Sequence, residues 1–363
     1  MAEHRVSTRK EAILRALVEE YVSTGEPVSS KVLADQLSIV HGGGYGAATI
    51  RHELASLEDD GLILQPHVSA GRVPTDLGYR YFVGHLMGES RLALEEQRLI
   101  RHQFYQVQHQ LDEWVRLTAS ILAQALQSAA VVTPPRALEA RLKHFEMLAL
   151  YESVVLLVVV LNDGAVRQER LVLDLPITQD DLSRMARRLN ERFQGATADE
   201  VAERIQRAAT TFEPVEHAVV MALARILAQV DPLVPDYFYS EGIAQLLSHQ
   251  EFSHGDPERM RRVVEVLRQN SFLPALAPHL QDSEGVQVII GGENESEALH
   301  DMSLIVARYG VKGEIGGLVG ILAPTRMHYS RAIAVVRYLT QMLSDLLAET
   351  YRPGRPVEEN VDE

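Results

Sequence analysis

Cysteine is absent from all 363 residues. That excludes disulfide staples, thiol catalysis, iron–sulfur clusters and cysteine-ligated zinc. No apolar run reaches the length of a membrane span. The longest, Val154 to Leu161, has the length of a buried strand. The start, MAEHRVSTRK, lacks an apolar signal segment, so a cytoplasmic location is expected. An excess of positive charge is missing too. The formal net charge is −15 and the pI about 5.4, which argues against a blanket affinity for polyanions. What is present is enough apolar material, 46% of residues, to bury a substantial core in two or three domains.

Residues 1–88 read as one unit. Ile13, Leu14, Leu17, Val18 and Tyr21 repeat at threes and fours, predicting a first helix that stops at Gly25 before Pro27. Ser29 or Ser30 suits the N-cap of a second helix running through Leu37. After the turn HGGGYG, a third helix is predicted from about Ala47 to Gly61, with Ile50, Leu54 and Leu57 as its inward stripe. Leu62 to Leu64 reads as a strand, Gln65 to Arg72 as a loop and Val73 as a return strand. Thr75 caps a fourth helix carrying Tyr79, Phe82, Val83 and Leu86. Three helices, a short hairpin and a closing helix describe a winged helix-turn-helix.

Beyond it, a seam of Ile100, Phe104, Val107, Leu111, Trp114, Thr118, Ile121 and Ala125 predicts a long helix over 91–130. Val154 to Leu161 and Val166 to Leu173, joined by Asn162-Asp163-Gly164, predict a hairpin. Residues 176–284 read as mostly helical. Strand character returns at Val286 to Ile290, Ser303 to Arg308 and Leu318 to Leu322, and a last helix is predicted over Tyr329 to Tyr351. The acidic, proline-bearing end, 352–363, reads as a disordered tail. Strands on both sides of a helical block suggest a sheet domain interrupted by an insertion.

The third helix carries the sharpest chemistry. Opposite its apolar stripe lie Ala48, His52, Ala55 and Asp59, flanked by Thr49, Arg51 and Ser56. Small residues let a helix backbone approach a major groove closely, where Arg and His donate to guanine edges or phosphates. In the following loop Gly71 allows a tight turn, Ser69 can bond a phosphate, and Arg72 at the tip suits a minor groove or backbone oxygens. Lys31 on the second helix completes the candidate DNA-contacting set. A solvated polar helix and an ordinary surface hairpin are the plainer readings of both features. Residues 1–88 carry eight Lys/Arg against eleven Asp/Glu, a net of −3. Binding must then come from a few placed cations and a matched site.

No active site assembles. HGGGYG and GVKGEIGG lack the Gly-Lys-Ser/Thr of a phosphate loop, and Ser7-Thr-Arg-Lys10 lacks the partner motifs of a serine acyl-enzyme. His249 and His254, five apart, do not share a helix face for a metal. No catalytic residue, metal or cofactor is expected.

EAILRALVEEYVSTGEPVSSKVLA and ATIRHELASLEDDGLILQPHVSAGRVPTDLGYRYFV closely resemble the N-terminal domain of the HrcA family. GILAPTRMHYSRAIAVVRYLT resembles that family's closing segment. The resemblance implies a heat-inducible transcription repressor that binds an inverted-repeat operator ahead of chaperone genes. It implies an α+β fold: a winged helix, then a GAF-like domain interrupted by a mainly helical dimerising insertion, with a GroE-type chaperonin needed for activity. On that pattern residues 1–88 are the DNA-binding domain and 89–175 and 285–351 the two parts of the GAF-like domain. The insertion takes 176–284. The chain departs from the pattern in the inserted HGGGYG turn, in His52 where asparagine is usual, and in Val68 where threonine is usual. Asparagine bonds adenine in two places, whereas histidine usually makes one contact. The expected partners are operator DNA, the chaperonin and a second copy of the chain, with no membrane. A ligand-sensing regulator, whose GAF-like domain binds a small molecule, is the alternative; an enzyme and a winged helix used only for protein contacts rank lower.

Overall fold

The computed structural model describes residues 7–41, 46–68, 70–88, 91–107, 110–137, 140–162, 164–173, 176–207, 212–229, 238–249, 251, 257–268, 285–312 and 314–351. Ser69, most of the HGGGYG turn, His254, the stretch 269–284 and the acidic tail lie outside them. The chain divides into two compact units. One gathers Met1–Pro134, Tyr237–Tyr309 and Leu318–Glu363; the other gathers Pro135–Asp236 and Gly310–Gly317.

In the first unit, α1 (Thr8–Thr24) buries Ile13, Leu14, Leu17 and Val18. Ser7 caps it by accepting from the Lys10 N–H at 3.3 Å, and Gly25, at φ +75°, closes it by donating to the Tyr21 carbonyl. Then come α2 (Ser30–His41) and α3 (Ala47–Asp59). Strands β1 (Ile63–Leu64) and β2 (Val73–Pro74) pair antiparallel, Ile63 opposite Pro74 and Leu64 opposite Val73. Helix α4 (Asp76–Tyr81) starts under a Thr75 cap and runs into a wide turn, Phe82–Leu86. Together these elements form a winged helix.

The predicted long helix over 91–130 is instead α5 (Leu94–Gln106) and α6 (Leu111–Leu126), followed by β3 (Ala129–Val132). Val107 has extended backbone, so the helix ends there although the apolar spacing continues across the break. Short β4 is Arg136–Ala137. Strand β3 lies in a sheet with β8 (Tyr239–Glu241), β9 (Val286–Ile290), β10 (Met302–Val311) and β11 (Ile315–Pro324). The order is β8-β3-β11-β10-β9, with β4 pairing beside β11; the β8–β3, β3–β11, β4–β11 and β10–β9 pairs are antiparallel. Helix α6 and the C-terminal helix Tyr329–Tyr351 bury Trp114, Val115, Leu122, Val335, Val336 and Leu339.

The second unit holds a three-stranded sheet, β5 (Leu142–Tyr151), β6 (Val154–Leu161) and β7 (Val166–Val172), with helices α7 (Gln179–Phe193), α8 (Ala198–Arg207) and α9 (Pro214–Gln229). One core joins Phe145, Leu157 and Val159 of the sheet to Leu182, Leu189, Phe193 and Leu223 of the helices. The expected hairpin is present, but it shares its core with the helices after it. The change of apolar period near residue 176 predicts a boundary there between hairpin and helices. The structure groups them because neither face is buried without the other. Strand β5 was not anticipated: a register shift between Leu142 and His144 interrupts its alternation.

Candidate nucleic-acid interface

Helix α3 buries Ile50, Leu54 and Leu57, each no more than 1% exposed. At 100° per residue the opposite face is thereby fixed outward. Ala48, Arg51, His52, Ala55 and Asp59 are exposed there, and Thr49 and Ser56 are half-buried at its margins. Gly46 is the N-cap and has no side chain to cap the first turn, so backbone N–H groups and small side chains are what this end presents. Lys31 is exposed in the first turn of α2, whose N-cap, Ser29, accepts from the Val32 N–H at 3.3 Å.

The acidic run Glu58-Asp59-Asp60 sits at the other end of α3. Asp60 accepts from Lys10 at 2.8 Å, and Glu58 accepts from Arg72 at 3.0 Å and from the Gln65 N–H at 3.1 Å. Carboxylates at a helix C-terminus are unfavourable next to its carbonyl ends. Two of these three are offset by cations drawn in from α1 and the wing. Arg51 is free of such ties among the described residues, so the negative count of this domain does not neutralise the cation on its outward face.

The wing differs from expectation. Arg72 is not at its tip. Its backbone exchanges hydrogen bonds with Val28 in both directions, each 2.9 Å, and its guanidinium is spent on Glu58. The β1–β2 register places the apex of the eight-residue loop 65–72 midway, where Val68 is 99% exposed beside exposed His67. Gln65 braces the loop, its side-chain amide donating to the carbonyls of Val68 at 3.0 Å and Ala70 at 2.9 Å. Gly71 is not needed for a left-handed turn. A Cβ there would stand 2.5 Å from the Pro27 carbonyl oxygen and the Val28 backbone, so glycine is required by close approach. His67 and Gln65 were missed by sequence reasoning. Counting inward from paired Leu64 and Val73 would have found the apex.

This geometry separates two cations. Lys31→Ala should weaken binding to every sequence alike and reduce the salt slope by about one unit. Arg72→Ala should instead cost the fold about 1 kcal/mol through its loosened wing, leaving the salt slope almost unchanged. Titrating duplex binding against salt for both variants, beside thermal unfolding, checks the distinction.

Among the described residues no three His, Asp or Glu side chains converge as metal ligands, and His249 bonds the Gln127 carbonyl. No helix among them is long and apolar enough to cross a membrane.

Comparison with known proteins matches residues 112–333 to the HrcA protein C terminal domain and residues 11–81 to the ribonuclease R winged-helix domain. A heat-inducible transcription repressor HrcA of Herpetosiphon aurantiacus is 42% identical over 349 residues, covering 95% of this chain and 96% of that protein. Its namesake in Roseiflexus sp. is 42% identical over 350 residues, with 95% and 96% covered. That of Chloroflexus aggregans is 38% identical over 373 residues, with 99% and 98% covered. A solved structure, titled as a hypothetical protein, aligns with 95% of this chain and 100% of its own at a TM-score of 0.55 and 21% identity, and so shares the fold.

Proposed function

The chain belongs to the HrcA family of heat-inducible transcription repressors, a regulator and not an enzyme, and from that premise we propose that it represses heat-shock chaperone genes by binding an inverted-repeat operator as a homodimer in the cytoplasm. The observation that carries the DNA reading is the outward face of α3, where Thr49, Arg51 and His52 surround small Ala48 and Ala55 with the acids drawn to the far end. In this reading each α3 enters a major groove. Ala48 admits the backbone, the face around Thr49, Arg51 and His52 selects bases, and Ser56 and Lys31 contribute phosphate contacts. Ser69 and the wing apex touch the flanking backbone, while Arg72 holds the wing in place. Two copies about one helical turn apart, roughly 34 Å, mirror a two-fold operator.

Pairing of two chains is supported by the free face of the β5-β6-β7 sheet. Val154, Leu156, Val158 and Val160 form its central row, and Leu148 at 48%, Tyr151 at 77%, Val166 at 50% and Val172 at 78% exposure flank it. An uncharged row of this kind is costly to leave in water and suits face-to-face packing of two sheets. Leu156→Lys should weaken the dimer at least tenfold, about 1.4 kcal/mol, with the monomer still folded; sedimentation against concentration reads the change.

The sheet of β8, β3, β11, β10 and β9 is taken as the GAF-like domain, with the second unit as its dimerising insertion. Dependence on a GroE-type chaperonin has a topological rationale. Val132 on β3 pairs with Val319 on β11, so a buried sheet must wait for strands far apart in the chain while its apolar segments stay exposed. Under heat, unfolded proteins would occupy the chaperonin, the repressor would go unassisted, and transcription would rise. Chaperonin should raise the fraction of refolded protein that binds operator. An equal yield without it rejects the dependence.

A further inference from the structure

The winged helix is fastened to the rest of its own unit by polar contacts gathered at α4 and the end of α1. Arg80 meets Glu293 with both ends of its guanidinium fork, Nε to Oε1 at 2.7 Å and Nη2 to Oε2, and Nη2 also donates to the Val288 carbonyl. Asp76 accepts from the Gly292 N–H at 2.9 Å. Its carboxylate occupies the space a side chain on Gly291 would need, since a Cβ there would stand 2.2 Å from Oδ2. Arg326 lies against Gly25, donates to the Val22 carbonyl at 3.3 Å and pairs with Glu251. Beneath them the rings of Tyr79 and Tyr329 stand 5.6 Å apart.

The receiving side is rigid. Buried Asn294 donates to the carbonyls of Gly291, Leu299 and Met302, so the segment that carries Glu293 cannot swing. Glu293 is itself fixed by the Ile290 N–H at 2.8 Å. Arg80 and Glu293 are each 38% exposed. A half-exposed pair contributes little bulk stability, but a two-pronged guanidinium–carboxylate contact fixes orientation.

We propose that this latch narrows the range of operator spacings the dimer accepts by holding the winged helix to its own unit, with Asp76, Arg80 and Glu293 as positioning residues that touch no base. The inference rests on the operator reading above. Two DNA-binding modules on loose tethers accept many separations, because their mutual effective concentration changes slowly with distance. A winged helix clamped at several points cannot swing to meet a displaced half-site. Releasing the latch therefore adds freedom between the winged helix and its own unit and widens the range of separations at which both half-sites are held.

The test uses the full-length dimer and duplexes that differ only in half-site separation, one base pair at a time over about one helical turn, together with a single half-site duplex. The parent should favour one separation by at least about tenfold over its neighbours. Arg80→Gln should flatten that profile to within about threefold while single half-site affinity and thermal unfolding stay near parental; Gly291→Ala should flatten it too, with a lowered unfolding midpoint because Gly291 sits at φ +51°. Arg80→Lys, which keeps the charge but not the two-pronged contact, should recover part of the profile. Latch variants that keep the parental profile overturn the proposal, as does an equal loss on the single half-site. A parent indifferent to inverted repeats sinks the operator reading, and its own profile tells that failure from failure of the latch.

Discussion

Arg51→Ala should cost operator binding about 1–3 kcal/mol per half-site and relax preference at one base pair in each. Arg51 is exposed on α3 two turns ahead of the acidic run. A guanidinium forking onto guanine O6 and N7 loses both bonds on truncation, and no neighbouring cation on α3 is placed to replace it. Folding stability should stay within about 0.5 kcal/mol, since an exposed side chain without internal partners holds nothing together. Binding measured across operators substituted one position at a time reads both effects. Undiminished affinity with unaltered preference would remove α3 from the role given to it.

Gly78→Ala should destabilise the winged helix by about 2 kcal/mol net. In an open helix the same change would stabilise by about 1 kcal/mol, because alanine is the better helix former. Here a Cβ would stand 2.0 Å from the Leu62 carbonyl oxygen, a backbone atom that cannot rotate aside. That carbonyl also accepts from the Thr75 N–H at 3.1 Å. Prying α4 away therefore opens the cap of α4 and the seat of β1 together, and such overpacking costs about 3 kcal/mol, which outweighs propensity. Gly84, with nothing within 4 Å of its would-be Cβ, is the internal control. Gly84→Ala should leave the unfolding midpoint in place or raise it. A Gly78→Ala protein as stable as the parent would mean that α4 and β1 do not meet as described.

The winged helix was legible because its signals are local. The Ser29 and Thr75 caps, Gly25 at a left-handed helix end and the Ile50, Leu54, Leu57 stripe each act within a few residues. Arg72 was misplaced because its position depends on pairing with Val28, more than forty residues earlier, which periodicity does not report. The role of Gly71 was misjudged for the same reason: its neighbour in space is Pro27, not its own turn. Grouping the hairpin with α7 to α9 needed knowledge of which faces share a core. In each case the residue type was informative and its partner was not.

The central claim is that two paired copies of a net-negative domain select a palindromic duplex through a few placed cations. Its most direct measurement is selection of bound oligonucleotides from a random pool by the purified full-length protein at moderate salt. The account predicts an enriched inverted repeat with one fixed spacing. Recovery of sequences without two-fold symmetry, or no enrichment over the starting pool, would contradict it.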